Sequence, residues 1–176
     1  MNQQHKAQLA QTIRDFRLPR YEEIPNVGLY LEQTAKYINE YLQPIQESEL
    51  TGSMISNYVK KKLVANPVKK QYDREQVAYL IFIAVVKNVL SLDNAGKLMR
   101  LQRAHYDGAT AYNYFCDALE QALRSVFGLD AQLPALDSGD GEDKLMLRNV
   151  VVTVAHKTYL EKCFSALEPV AEEAES

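Results

Sequence analysis

Six cationic side chains, Lys60, Lys61, Lys62, Lys69, Lys70 and Arg74, fall within one short stretch against a single acid, Asp73, in a chain of formal net charge -3. A locally basic face on a mildly acidic protein suits a polyanion, because phosphates respond to the nearby field and not to the net charge. Just ahead of it, Ser53, Ser56 and Asn57 place short polar groups on the side of a predicted helix away from Ile55 and Tyr58. Such groups reach base edges and phosphates, and an asparagine amide offers adenine a paired donor and acceptor. Lys60 and Lys61 continue that face, Lys62 lies at the helix exit, and Lys69 and Lys70 fall on the basic extended segment 66–72. The expected chemistry is recognition of double-stranded DNA, with a helix over about 51–61 in the major groove and the segment 66–72 on the phosphate backbone. The competing account is that these lysines only solvate a surface.

Other chemistry has no matching spacing. Cys116 and Cys163 lie far apart without a CxxC pair and are expected as buried thiols. His5, His105 and His156 are equally scattered, so no metal site is expected. Glu22, Glu23 and Glu32 lie near Tyr30, but no nucleophile–base arrangement or phosphate-binding glycine loop accompanies them. Neither catalysis nor a cofactor is expected. Hydrophobic residues at 47% and charged residues at 24% of 176 describe a globular composition with enough chain for a core. The polar start MNQQHKAQLAQ has no signal-peptide core, and Val77 to Leu92, interrupted by Lys87 and Asn88, is too short to span a bilayer. A cytoplasmic protein without membrane contact is expected.

The elements that must hold the basic face follow from periodicity and punctuation. A helix is predicted over 5–16, with Leu9, Ile13 and Phe16 on one stripe, then a loop pinned by Pro19, Pro25 and Gly28. Leu29 to Leu31 reads as a minimal extended stretch before a helix over 32–42, which Pro44 closes. After a long connection, Thr51 caps the helix carrying Ile55, Tyr58 and Val59, and Pro67 prevents its continuation. Val68 to Tyr72 alternates like a strand, and Asp73 with Gln76 forms a capping box. The helix it opens is apolar on so wide a surface that burial from more than one side is expected. Ser91 and Asp93 can cap a helix burying Ala95, Leu98, Met99 and Leu101. A further helix, 110–127, displays Ala111, Tyr114, Phe115, Ala118, Leu119, Ala122, Val126 and Phe127, and ends at Gly128. Residues 129–143 read as a flexible connection, 144–167 as a last helix and 169–176 as an acidic tail.

The segment from Leu29 to about Met99 resembles the DNA-binding domain of the MerR family of transcription regulators. The resemblance rests on Leu29, Leu31 and Ala35 in the first strand and helix, on Ile55 and Tyr58 three residues apart, on the exit Leu63, Val64 and Pro67, and on Lys70, Tyr72 and Asp73 closing the wing. Ser91-Leu92 and the helix beyond continue it. Ser56 and Asn57 stand where that family carries an arginine and an aromatic residue, and Lys62 stands where it has a glycine. Over residues 15 to 125 the chain resembles more closely an uncharacterised family from Gram-positive bacteria with the same MI-NYVK-KL core.

The resemblance implies a mainly α, winged helix-turn-helix domain over 18–105 with a short β wing, followed by a C-terminal helical segment, 106–168, for dimerisation or an effector. It implies a homodimer formed through a long helix, such as Thr110–Phe127 with Lys144–Leu167 packed across it, and an effector that is a small molecule or a protein. Tyr112, Tyr114, Phe115, Tyr159 and Phe164 would line an effector pocket if they are not simply core. The alternative function is a protein–protein interaction module that keeps the fold without specific DNA binding.

Overall fold

Asp73 starts the helix around which the chain is assembled. Its Oδ1 accepts from the Gln76 N–H at 2.8 Å, and Gln76 Oε1 accepts in return from the Asp73 N–H at 2.8 Å. This reciprocal cap satisfies two donors that the first turn otherwise leaves unpaired. The helix it opens, α4 (Arg74–Val86), buries Val77, Ala78 and the run Leu80 to Val86. Burial on several sides, as its apolar surface requires, makes it the central element.

The structure, a computed structural model, describes residues 3–129 and 141–167. Before α4 come α1 (Gln3–Ile13), a 3₁₀ turn (Tyr21–Glu23), β1 (Leu29–Tyr30), α2 (Leu31–Leu42), α3 (Gly52–Lys60) and β2 (Gln71–Tyr72). After it come α5 (Leu92–Arg103), α6 (Gly108–Val126) and α7 (Glu142–Ser165). The fold is mainly α-helical with one small antiparallel ribbon, in which Leu29 pairs with Tyr72 and Tyr30 with Gln71. Gly28 allows this approach, since a Cβ there would lie 2.7 Å from the Gln71 Cβ. Buried side chains of α1 through α7 form one continuous cluster. Among the described residues no helix is long and apolar enough to cross a membrane.

Several local expectations need correction. The first helix stops at Ile13 and leaves Phe16 half-buried in the turn beyond. The extended segment 68–72 is a strand only at Gln71–Tyr72, with Val68 joined to Gln71 by an isolated bridge. On α5 it is Gln102 that is buried, and Leu101 is half-buried. On α6, Tyr114 turns outward while Tyr112, Cys116 and Leu123 turn in. The reason is that α6 faces two neighbours: Phe115 packs on Phe82 of α4 at 5.0 Å, and the Tyr112 hydroxyl donates to the Pro19 carbonyl at 2.9 Å. Cys116 is buried, which pushes its thiol up to about 12, but Cys163 is only partly buried. The last helix begins at Glu142, inside the expected connection; residues 130–140 of that connection and the tail 168–176 lie outside the described residues.

Candidate nucleic-acid interface

The Thr51 hydroxyl accepts from the Met54 N–H at 3.2 Å and so fixes the start of α3. Ile55 and Tyr58 are buried beneath it, and burial raises the Tyr58 hydroxyl pKa. Ser53, Ser56, Asn57 and Lys60 are exposed on the opposite face. The inward pair thus anchors the helix and leaves its polar face to solvent. Ahead of α3, Asn39 holds the long connection 43–50. Its side-chain oxygen accepts from the Leu50 N–H at 2.8 Å, and its amide donates to the Leu50 carbonyl at 2.9 Å.

The exit from α3 is a Schellman turn. The Lys62 N–H donates to the Val59 carbonyl at 2.9 Å, and the Leu63 N–H to the Tyr58 carbonyl at 3.0 Å. This geometry requires a left-handed residue, and Lys62 supplies it with φ 59°. The basic tip repeats the feature twice. Val68 and Gln71 exchange both backbone hydrogen bonds, at 2.9 and 3.1 Å, around Lys69 at φ 50° and Lys70 at φ 64°. A two-residue hairpin with both central residues left-handed is a type I′ turn, which ordinarily takes Asn-Gly. Among the described residues these three lysines are the non-glycine residues with positive φ, and a left-handed side-chain-bearing residue costs roughly 1–2 kcal/mol.

Gln76 Nε2 steadies the approach to this turn by donating to the carbonyls of Ala65 and Asn66 at 3.0 and 3.2 Å. Lys60, Lys61, Lys62, Lys69 and Lys70 are all exposed, and Val68, 72% exposed, sits beside the tip. Arg74, counted with them in sequence, is engaged elsewhere. Its Nε donates to the Ile24 carbonyl at 2.9 Å, and its guanidinium lies 5.8 Å from the Tyr21 ring centroid. Arg100 of α5 adds a cation that the sequence reading missed: it lines a depression with Lys61, Leu63, Leu92 and Asp93. No local motif marks Arg100, because only the packing of α5 on the α3 exit brings it there.

A second depression, of about 740 Å³, runs along α2 and the connection to α3. Glu32, Glu40 and Glu49 line it with Lys36 and Asn39. The five aromatics expected to share an effector pocket are spread over different surroundings. Tyr112 and Phe115 border a space of about 30 Å³ beside α4, Tyr114 borders another of about 170 Å³ with Tyr106 and Asp143, and Phe164 is exposed. Tyr159 instead packs edge-on against Phe127 at 5.2 Å. The helix offered for dimerisation, α6, packs against α4, α7 and the N-terminal segment and keeps Tyr114, Asp117 and Gln121 exposed. Among the described residues no group of three or more His, Cys, Asp or Glu is placed to hold a metal ion.

The N-terminal segment is tied to α6 by side-chain hydrogen bonds. The Tyr21 N–H donates to Asn113 Oδ1 at 2.8 Å, and Arg20 clasps both Glu120 carboxylate oxygens at 2.8 and 2.9 Å. Residues 19–115 match the family described as a domain of unknown function, DUF1836. The chain belongs to the DUF1836 family. No curated protein and no solved structure matches it. The DUF1836 segment contains α2, α3, the lysine turn, α4, α5 and the first part of α6. Its ends meet in space, because the Pro19 carbonyl accepts from the Tyr112 hydroxyl.

Proposed function

We propose that the chain is a sequence-specific, double-stranded DNA-binding regulator of transcription with a MerR-like winged helix-turn-helix. In this reading α3 enters the major groove, with Ser53, Ser56 and Asn57 toward base edges and Lys60 and Lys61 toward phosphates. The turn at Lys69 and Lys70 is the wing and lies on the backbone. The observation that carries the reading is the placement of lysine at the three left-handed non-glycine positions among the described residues, Lys62, Lys69 and Lys70, where asparagine or glycine would cost less. Strain retained at an exposed turn points to a use for those side chains outside the fold. The reading includes a homodimer, which pairs two half-sites, and leaves the effector as a small molecule or a protein.

Fluorescence anisotropy of the full chain against a pool of genomic duplex fragments at two salt concentrations tests it. A Lys60/Lys61/Lys69/Lys70-to-alanine variant runs alongside. Selective binding that weakens with salt and is lost in the variant is expected. Equal, weak binding to all fragments that the variant leaves unchanged rejects it.

The glutamate-lined depression favours a second reading, a protein–protein interaction module. Glu32, Glu40 and Glu49 would attract a basic segment, and they stand beside Thr51 and Gly52 at the start of α3. In the DNA reading the same acids repel phosphates there and direct the duplex toward the lysine-bearing end.

A further inference from the structure

We infer that Lys61 and Arg100 form a seat for one phosphodiester group at the junction of α3 and α5. The inference rests on the DNA reading and adds Arg100, a cation outside the recognition helix and wing, to the phosphate contact that Lys61 makes from the end of that helix. The seat is a depression of about 210 Å³ lined by Lys61, Leu63, Leu92, Asp93 and Arg100. Its shape follows from a close packing of two elements. A Cβ on Gly96 would lie 2.7 Å from Leu63 Cδ2 and 3.4 Å from the Arg100 guanidinium, so α5 lies directly against the chain leaving α3. The Schellman turn at Lys62 fixes that exit, and with it the position of Lys61 beside Arg100.

The charge balance of the depression is incomplete. Its one acid, Asp93, is engaged by Lys97 at 2.7 Å and also lies in the field of Arg100, so one shared carboxylate faces the two lining cations. Lys61 and Arg100 are exposed, and among the described residues neither has an ion-pair partner. Two cations bordering one depression repel each other until an anion sits between them. The first turn of α5 adds the positive end of its dipole. An arginine fork and a lysine point charge together suit a phosphate, whose oxygens accept from both.

The test has two arms on the full chain, with variants Arg100→Gln, Lys61→Gln and, as control, Arg103→Gln. Arg103 is an arginine of the same helix that lies over the Tyr79 ring at 4.3 Å, away from the seat. In the first arm, anisotropy with a labelled duplex across a salt series gives the slope of log K against log salt. Arg100→Gln and Lys61→Gln are each expected to reduce that slope by about 1, and Arg103→Gln to leave it unchanged. In the second, inorganic phosphate is titrated while backbone amide resonances are followed. Leu63 and Leu92 to Asn94 are expected to shift in the parent chain and to stay still in Arg100→Gln. Duplex binding with an undiminished slope in both seat variants overturns the seat and leaves the DNA reading standing. Phosphate shifts that vanish in Arg100→Gln without any duplex binding overturn the duplex as occupant, and the DNA reading with it. Absence of both responses overturns both.

Discussion

Lys69 and Lys70 concentrate a conflict between stability and use. Both sit in the left-handed region, at φ 50° and 64°, in a turn that asparagine and glycine fill at lower cost. Lys69→Asn with Lys70→Gly is therefore expected to raise unfolding free energy by about 1–2 kcal/mol. The same change removes two cations from the proposed wing and should lower the duplex salt slope by about 2. Urea denaturation and anisotropy on one preparation check both halves. A destabilised variant would contradict the strain argument, and an unaltered slope would remove these lysines from the interface. Lys62 teaches the same lesson about legibility. Its sequence position requires a left-handed residue, and lysine gives no sign of accepting one; the two Schellman hydrogen bonds around it impose the conformation. The caps Thr51, Asp73 and Ser91 were readable, because each bond spans three residues and depends on residue type alone.

At the level of elements, the orientation of α3 depends on a residue that no motif marks. Asn39 lies on α2, yet both its polar atoms bond Leu50, eleven residues on, at the end of the long connection. A connection of that length is visible in sequence from Pro44 and Thr51, but the fastener is not, because its partner is a backbone group brought near by folding. The faces of α6 were misread for a related reason. Tyr112 and Tyr114 are equally apolar by type, and only the carbonyl of Pro19 decides that Tyr112 turns inward. Asn39→Ala is expected to cost about 1–3 kcal/mol, since two partly buried hydrogen bonds are lost. It should also speed exchange of the Leu50 amide and weaken duplex binding, although Asn39 is not a proposed DNA contact. Asn39→Asp keeps the acceptor for the Leu50 N–H and is expected to fall between. Hydrogen exchange that stays slow at Leu50 in the alanine variant would show that the connection is held by something else.

The whole molecule assigns its surfaces unevenly. Buried side chains from α1 to α7 make one cluster, and Arg20 with Tyr21 stitches the N-terminal segment to α6. Among the described residues, one apolar surface open to a second copy lies at the end of α7 and in the turn after it, where Leu160, Phe164 and Leu167 are 51%, 59% and 55% exposed. Leu160 and Phe164, four residues apart, lie on one side of the helix, away from Val151, Val154 and Thr158, which face inward. Leucine and phenylalanine on one stripe at a helix end are costly to leave in water, at about 25 cal/mol for each Å² of apolar surface. The homodimer in the proposed function is therefore expected to form through this end of α7. Leu160→Asp with Phe164→Asp should shift the chain from dimer to monomer in sedimentation velocity, with little loss of thermal stability because both side chains already face solvent. Monomeric variants should still bind duplex, with lower affinity, since the basic face lies on other elements and only the pairing of half-sites is lost. A parent chain that sediments as a monomer at concentrations well above its duplex Kd would remove the dimer from the proposed function and leave the basic face to act alone.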